Sequence, residues 1–339
     1  MRIGSKELGD ECYVIAEIGH NHGGDLEVAK DMIYVAAKCG ADAVKFQKRD
    51  NRELFTKEAY DRPYENRNSY GATYGEHREA LEFGWDEYVE LKRRADFLDI
   101  DFFATPFDFE SADFLMELGV PAFKIASGDL TNTPFLEHVA AFGKPMIIST
   151  GGASALIDVR RAHATVFGIN EQICLLQCTA SYPAEFCELN LRVIETYREE
   201  FECVVGLSSH DNGIAMAVAA YVLGARVIEK HFTLNHTMKG TDHAFSLEPI
   251  GFKKMVRDLR RVEVALGDGV KRVYDLEVEP IRKMSKSLVY ARDLPEGHVL
   301  TRDDIAIKSP GGGIPPYMLD SAVGAKLMTP GRKDEFCLI

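Results

Sequence analysis

The feature that most constrains the fold is a unit repeated eight times: a short apolar run, a polar tip, then a helical stretch. The runs are Tyr13–Gly19, Ala43–Gln47, Asp101–Phe107, Ala122–Gly128, Pro145–Thr150, Ile173–Thr179, Val204–His210 and Val227–Thr233. Amphipathic segments such as 26–39, 85–98 and 111–118 separate them, and stops such as Gly40-Ala-Asp42 and Gly119-Val-Pro121 end a helix before a strand begins. Near-continuous apolar runs suit parallel strands covered on both faces, and eight of them alternating with helices predict a (β/α)8 TIM barrel. An open doubly wound sheet is the structural rival. The first run is not followed by a Gly-rich dinucleotide turn, which counts against the commonest version of that rival.

A barrel takes about 250 residues, and the pattern changes where that length runs out. The helical stretch 250–266 is stopped by Gly267-Asp-Gly269 and followed by a charged connector from Val270 to Lys286. Beyond it lie short strands and turns, including Leu294-Pro-Glu-Gly297 and Ser309-Pro-Gly-Gly-Gly-Ile-Pro-Pro316. The expected organisation is a catalytic barrel over 1–268, a linker over 269–286 and a small β-rich domain over 287–339. A module of about 55 residues is near the lower limit for independent stability and is expected to lean on another surface.

Charge and hydropathy exclude several partners. The balance of 40 Lys and Arg against 53 Asp and Glu gives −13, whereas nucleic-acid binding needs a concentrated basic face. The longest apolar candidate, 214–225, has the length of a buried helix and is too short to span a membrane. The opening MRIGSKELGDE offers no apolar signal core. The seven cysteines form no CxxC pair, and Cys174 and Cys178 read as buried thiols. A cytoplasmic protein with no nucleic-acid or membrane partner is expected.

The strand tips carry Glu17, Lys45 with Gln47, Thr105, Lys124 with Ser127, Ser149 with Thr150, Gln177 with Thr179, Ser208 with His210, and Glu229 with His231. In a barrel the C-terminal strand ends form the active-site face, so each strand is expected to deliver a polar group to one crater. Lys45/Gln47, Ser208/His210 and Glu229/His231 are i, i+2 pairs, whose members project to one side of a strand. His210 and His231 end neighbouring strands and could share a divalent ion, leaving its other positions to water and substrate; the plainer alternative is two unrelated histidines. Lys45 and Lys124 interrupt apolar strands and need anionic partners. With Ser127, Ser149 and Ser208 they would cradle a small phosphate or carboxylate, or they could simply pair with Glu17 or Glu229. A Schiff-base role for one lysine is a further alternative. His20-Asn-His22 resembles the opening of a metal-dependent amidohydrolase, but that reading needs histidines at the ends of the fifth and sixth strands, which end in Ser149-Thr150 and Gln177-Cys-Thr179.

Taken together, several segments resemble the sialic acid synthases, which condense phosphoenolpyruvate with N-acetylmannosamine or its 6-phosphate. They are Ala16-Glu-Ile-Gly-His-Asn-His-Gly-Gly24, Lys45-Phe-Gln47, Tyr74-Gly-Glu-His77, Phe123-Lys-Ile-Ala-Ser-Gly-Asp129, Gln177-Cys-Thr179 with Tyr182-Pro183, Gly206-Leu-Ser-Ser-His210, Glu229-Lys-His231 and Gly240-Thr-Asp-His243. The tail from Lys286, with Leu294-Pro-Glu-Gly297 and Val323-Gly324, resembles the antifreeze-like (SAF, β-clip) domain of that family. The resemblance implies a metal-dependent transferase that releases phosphate by C–O cleavage and makes a nonulosonic acid. It implies that His210 and His231 hold a divalent metal, Mn²⁺ in the first place with Mg²⁺ or Co²⁺ as alternatives, and that Glu17 is the acid/base carboxylate. Lys45, Thr105, Lys124, Ser127, Ser149 and Ser208 would grip phosphoenolpyruvate, and Gln47, Tyr182, Glu229 and Asp242 would face the N-acylhexosamine. It also implies a homodimer in which each tail domain is exchanged over the partner's barrel.

Two positions depart from the bacterial pattern of that family. Ala180 stands where those enzymes carry an Asn near phosphoenolpyruvate, and Ser309 stands where their tail domain offers an Arg to the sugar of a neighbouring subunit. The stretch from Arg62 to Phe83 resembles the animal-type branch, which uses the 6-phosphate. Arg62, Arg67, His77 or Arg78 in it could hold a sugar phosphate, or could be ordinary solvated loop charges. A pyruvate-using barrel aldolase and a non-catalytic carbohydrate-binding relative are the competing functions.

Overall fold

The computed structural model describes residues 1–9 and 11–338. Eight strands, one from each repeat, lie parallel in a single sheet: β1 Tyr13–Gly19, β2 Ala43–Lys48, β3 Asp101–Pro106, β4 Phe123–Ile125, β5 Met146–Ser149, β6 Ile173–Cys178, β7 Val204–Ser209 and β8 Val227–His231. Their order is β3-β2-β1-β8-β7-β6-β5-β4, so the first and last strands pair and the sheet wraps into a TIM barrel. The β3–β4 junction is the one place where neighbouring strands pack with no ladder among the described residues. Every residue of β1, β6 and β8 is buried, as expected of strands covered by helices outside and by one another inside.

Capping explains where the helices begin. The Asp25 carboxylate accepts from the backbone N–H groups of Glu27 and Val28 at the head of helix α1, Leu26–Lys38, and Asp108 accepts from Ser111 at the head of Phe109–Leu118. Gly119 closes the latter in the left-handed region at φ +77°. The long excursion between β2 and β3 contains three short helices before Trp85–Phe97, the last of them Tyr74–Glu79. A capping box fixes its start: Thr73 accepts from the Glu76 N–H while the Glu76 carboxylate takes the Thr73 N–H. Gly75 lies flat against the Tyr60 ring with no room for a Cβ, which holds this helix down and sets the position of Arg78.

The chain divides into two compact units, Met1–Gly267 and the residues from Asp268 onwards. Within the second unit, ten residues of the stretch expected as connector, Asp275–Met284, form a helix with no buried residue. Acidic residues in its first turn and Arg282 and Lys283 in its last suit the helix dipole. Strands β9, Ser287–Tyr290, and β10, Ile305–Lys308, pair antiparallel over a small core that includes Leu288, Tyr290, Leu300 and Leu327. Asp304, with no solvent exposure, ties this core together by accepting from Arg292 (2.6 Å), Thr301 (2.7 Å) and the His298 ring (2.8 Å). The final residue of the expected tail domain, Ile339, lies outside the described residues. No helix among those described is long and apolar enough to cross a membrane.

Candidate active site

Strand register builds the site. In the ladders Glu17 lies level with Lys45 on one side and His231 on the other. Gln47 is opposite Thr105, and Ser208 lies between Glu229 and Cys178. Paired residues in a parallel sheet share a face, so one inward parity is carried round the barrel. The result is a crater of about 360 Å³ at the C-terminal strand ends. It is lined by all thirteen residues that the family resemblance assigns to acid/base chemistry, metal, phosphoenolpyruvate or sugar: Glu17, Lys45, Gln47, Thr105, Lys124, Ser127, Ser149, Tyr182, Ser208, His210, Glu229, His231 and Asp242.

The same parity corrects one expectation. Sixth-strand residues Gln177 and Thr179, expected at the crater, have the outward parity, as does Thr150 at the end of β5. Gln177 Nε2 donates to the Leu189 carbonyl at 3.0 Å, Thr179 Oγ1 to Glu188 O at 3.0 Å and Thr150 Oγ1 to Leu176 O at 2.9 Å. All three tie strand ends to neighbouring loops and strands. What β6 delivers inward is the Cys178 thiol, which burial pushes above its ordinary pKa and so keeps protonated. No disulfide joins any of the seven cysteines.

The two buried lysines that line the crater have protein partners. Lys45 Nζ lies 2.6 Å from Glu17 Oε2 and donates to Thr105 Oγ1 at 2.8 Å. Lys124 Nζ donates to Ser149 Oγ at 2.6 Å and to the Ile125 carbonyl at 3.0 Å. Glu229 Oε1 lies 3.8 Å from both ammonium groups and accepts from Ser208 Oγ at 3.1 Å. These environments separate the two carboxylates. Burial raises the pKa of Glu17, and the nearby Glu229 charge adds to the rise against the pull of Lys45. Burial works against the Glu229 charge as well, but Lys124 and Lys45 outweigh it and hold that carboxyl below its ordinary value. Two acids split in this way are a common acid/base arrangement.

The histidine pair sits beside them, ring centroids 5.4 Å apart. Burial first, and for His210 the neighbouring ring next, lowers both pKa values to about 4, so both imidazoles are neutral at pH 7. His210 Nδ1 donates to the Thr179 carbonyl at 2.9 Å, which leaves Nε2 as a free lone pair. His231 Nδ1 is buried without a hydrogen-bond partner. Two oriented neutral imidazoles, one with an unpartnered buried nitrogen, suit a divalent ion that takes its remaining ligands from water and substrate. Among the described residues no group of three or more His, Cys, Asp or Glu side chains is placed to hold a metal, so the chain itself would supply two ligands. Tyr182 covers the pair, its ring 4.1 Å from that of His210.

His20 and His22 do not form a second pair of ligands. His22 stacks on Phe83 at 4.3 Å, its Nδ1 accepts from the Gly24 N–H, and burial lowers its pKa to about 3. Of the basic residues after β2, Arg78 reaches the crater, while Arg62 and Arg67 are exposed away from it and His77 is buried beside it. Arg49 also lines the crater and was not singled out from the sequence. The signal was present, since Arg49 continues the i, i+2 parity of Lys45 and Gln47 by one more step. In the tail, Ser309 Oγ donates to the Met284 carbonyl at 3.4 Å and receives a hydrogen bond from Lys286, and Lys308 pairs with Asp334.

A TIM barrel with catalytic-type carboxylates, lysines and histidines at its C-terminal face, followed by a SAF domain, defines the class. The chain belongs to the NeuB family: that family matches residues 32–271, and the SAF domain matches residues 285–336. It is 44% identical to the human N-acetylneuraminate-9-phosphate synthase over 326 residues, covering 96% of this chain and 90% of the relative. It is 40% identical over 323 residues to the N,N'-diacetyllegionaminic acid synthase of Legionella pneumophila, covering 93% and 90%. A crystal structure of the N-acetylneuraminic acid synthetase of Leptospira borgpetersenii in complex with citrate superposes with a TM-score of 0.73 at 35% identity, covering 83% of this chain and 94% of that one.

Proposed function

We propose that this protein is a nonulosonic acid synthase. It joins C3 of phosphoenolpyruvate to the aldehyde carbon of an open-chain N-acylhexosamine, N-acetylmannosamine or its 6-phosphate, and releases inorganic phosphate. The observation that carries this reading is the meeting, in one crater, of a lysine–hydroxyl cradle, two neutral histidines and a buried carboxylate of raised pKa. The names of the relatives supply the product class.

Lys45 and Lys124, with Thr105, Ser127, Ser149 and Ser208, receive the phosphate and carboxylate of phosphoenolpyruvate. Both ammonium groups are already oriented by hydrogen bonds, so little reorganisation accompanies binding. Gln47, Tyr182, Glu229 and Asp242 orient the sugar. His210 and His231 would hold a divalent ion, Mn²⁺ by family resemblance, which when bound polarises the aldehyde as a Lewis acid. As the C–C bond forms, an alkoxide develops on the former aldehyde oxygen and positive charge at C2. Water adds at C2 and gives its proton to ionised Glu17, which passes it to the alkoxide. The tetrahedral intermediate then collapses: the C2–O bond to the phosphoryl group breaks with its electron pair on the leaving phosphate, the proton of the new C2 hydroxyl goes to that phosphate, and C2 becomes a ketone. Burial strengthens each of these electrostatic contacts by excluding water.

The deciding test is phosphate release from phosphoenolpyruvate, assayed with N-acetylmannosamine and with its 6-phosphate. Release that depends on the sugar, is silenced by EDTA and is restored by Mn²⁺ is the expected outcome. Borohydride trapping of pyruvate on a lysine, with no phosphate release, would instead identify an aldolase.

The quaternary reading is a homodimer in which each tail domain covers the partner's crater. It rests on the family resemblance and on the small core of the tail. Truncation after Lys286 is expected to remove most activity, and sedimentation of the intact chain should give a dimer. A fully active monomeric truncation would refute this arrangement.

A further inference from the structure

The crater holds two cations that the condensation does not use, Arg49 and Arg78, placed on either side of His20. Arg49 is buried, its guanidinium flat on the Phe107 ring at 3.7 Å, and Nη2 donates to Gln47 Oε1 at 2.7 Å. Arg78 is half-buried and is oriented by Tyr74, whose hydroxyl accepts from Nε at 3.1 Å and from Nη2 at 2.8 Å.

Neither guanidinium is neutralised as a buried arginine ordinarily is. Among the described residues Arg78 has no carboxylate within ion-pair distance. Arg49 lies 3.8 Å from Glu82, and that single carboxylate also serves Lys48 at 3.5 Å and His20 at 3.3 Å. The cost registers on Arg49, whose pKa burial, and then the Arg78 charge, lower to about 10. Hydrogen bonding is short of an acceptor too. Arg49 Nη1 lies 3.1 Å from His20 Nε2, and Arg78 Nη1 lies 3.2 Å from His20 Nδ1. Burial and the two guanidinium charges hold His20 neutral. A neutral imidazole carries one lone pair, so it can accept from only one of these two arginines, and the other N–H is left without an acceptor. A buried cation with an unmet donor is costly unless an anion completes it.

The location says which anion. The lysine cradle already serves phosphoenolpyruvate at the strand ends, whereas Arg49 is bonded to Gln47, on the side assigned above to the sugar. The geometry points to a second anion subsite, formed by Arg49 and Arg78 about His20, that accepts a phosphoryl group on the terminal hydroxyl of the sugar substrate. This inference rests on the condensing function proposed above and selects the phosphorylated N-acylhexosamine. Planar guanidiniums give a phosphate paired, charge-assisted hydrogen bonds, whereas a neutral sugar leaves the two guanidiniums to Glu82, which Lys48 and His20 share, and to Asp242, which lies beyond ion-pair distance of Arg78.

The test compares kcat/KM for N-acetylmannosamine and its 6-phosphate in the full-length protein, alongside Arg78→Ala and Arg78→Lys. Arg78 is only half-buried, so its truncation should leave the fold intact, and a thermal melt checks this. The wild type is expected to prefer the phosphorylated sugar, and Arg78→Ala to shrink that preference by roughly 10–100-fold, the scale of a lost hydrogen bond to a charged group. Arg78→Lys should recover part of it. Calorimetric titration with the 6-phosphate of the sugar alcohol, which has no aldehyde and cannot react, should show the same loss of affinity. A wild-type preference for the neutral sugar, a preference unmoved by Arg78→Ala, or a rise in KM for phosphoenolpyruvate alone would each overturn the subsite while leaving the condensing function standing. Absence of phosphate release with either sugar would reject the condensing function, and the titration would then decide the subsite by itself.

Discussion

Glu17→Gln is expected to lower turnover by roughly 10²–10⁴-fold, the usual contribution of a positioned general base, with phosphoenolpyruvate binding nearly intact. The amide keeps the size and polarity of the side chain but cannot take a proton from the water that adds at C2. The pH profile gives a second readout. Burial raises the pKa of Glu17, and the ionised form is the active one. Wild-type activity should therefore fall as pH drops through a value above the ordinary carboxylate range, and Glu17→Gln should lose that acid limb. Glu229 cannot produce the same limb, because Lys124 and Lys45 hold its pKa below the ordinary value. Unchanged turnover in Glu17→Gln would move the base elsewhere, with Glu229 the next candidate.

His210→Ala or His231→Ala is expected to abolish measurable turnover and the retention of a divalent metal after desalting, with the fold kept. The barrel does not need either ring. His210 makes one hydrogen bond, to Thr179 O, and His231 Nδ1 makes none. Because both pKa values lie at about 4, protons compete for the imidazoles only in acid. Metal retention by the wild type should stay level across neutral pH and fall as pH drops through about 4. Full activity in thoroughly chelated protein would end the metal assignment, and a large drop in melting temperature for either variant would show that the ring is structural.

Much of this site could be read from the sequence because a barrel strand is a one-dimensional device. Its C-terminal end faces the crater, alternation decides which side chains enter, and a charged residue such as Lys45 or Glu229 in an apolar run announces itself. Polarity by itself misleads where it disagrees with parity. Gln177 and Thr179 are polar, yet the β6 register turns Cys178 inward instead. Arg49 continues the inward parity of Lys45 and Gln47 past the strand end, where polarity alone does not set it apart.

The sequence alone determined the eight strands, the barrel, the change of character near Gly267 and nearly all of the crater lining. The strands, the barrel and the boundary follow from local periodicity, and most of the lining follows from the polarity of strand-end positions, while Tyr182 and Asp242 are named only through the family resemblance. Tertiary structure decided how the charges are partnered. No spacing along the chain reveals that Glu17 pairs with Lys45 while Glu229 stands between Lys45 and Lys124, since those contacts join different strands across the barrel. Nor could it separate Arg78 from Arg62 and Arg67, which share one loop and one chemistry. The capped helix seated on Tyr60 carries Arg78 into the crater beside Arg49 and leaves the other two in solvent, because packing at a distance in sequence sets where a loop side chain ends.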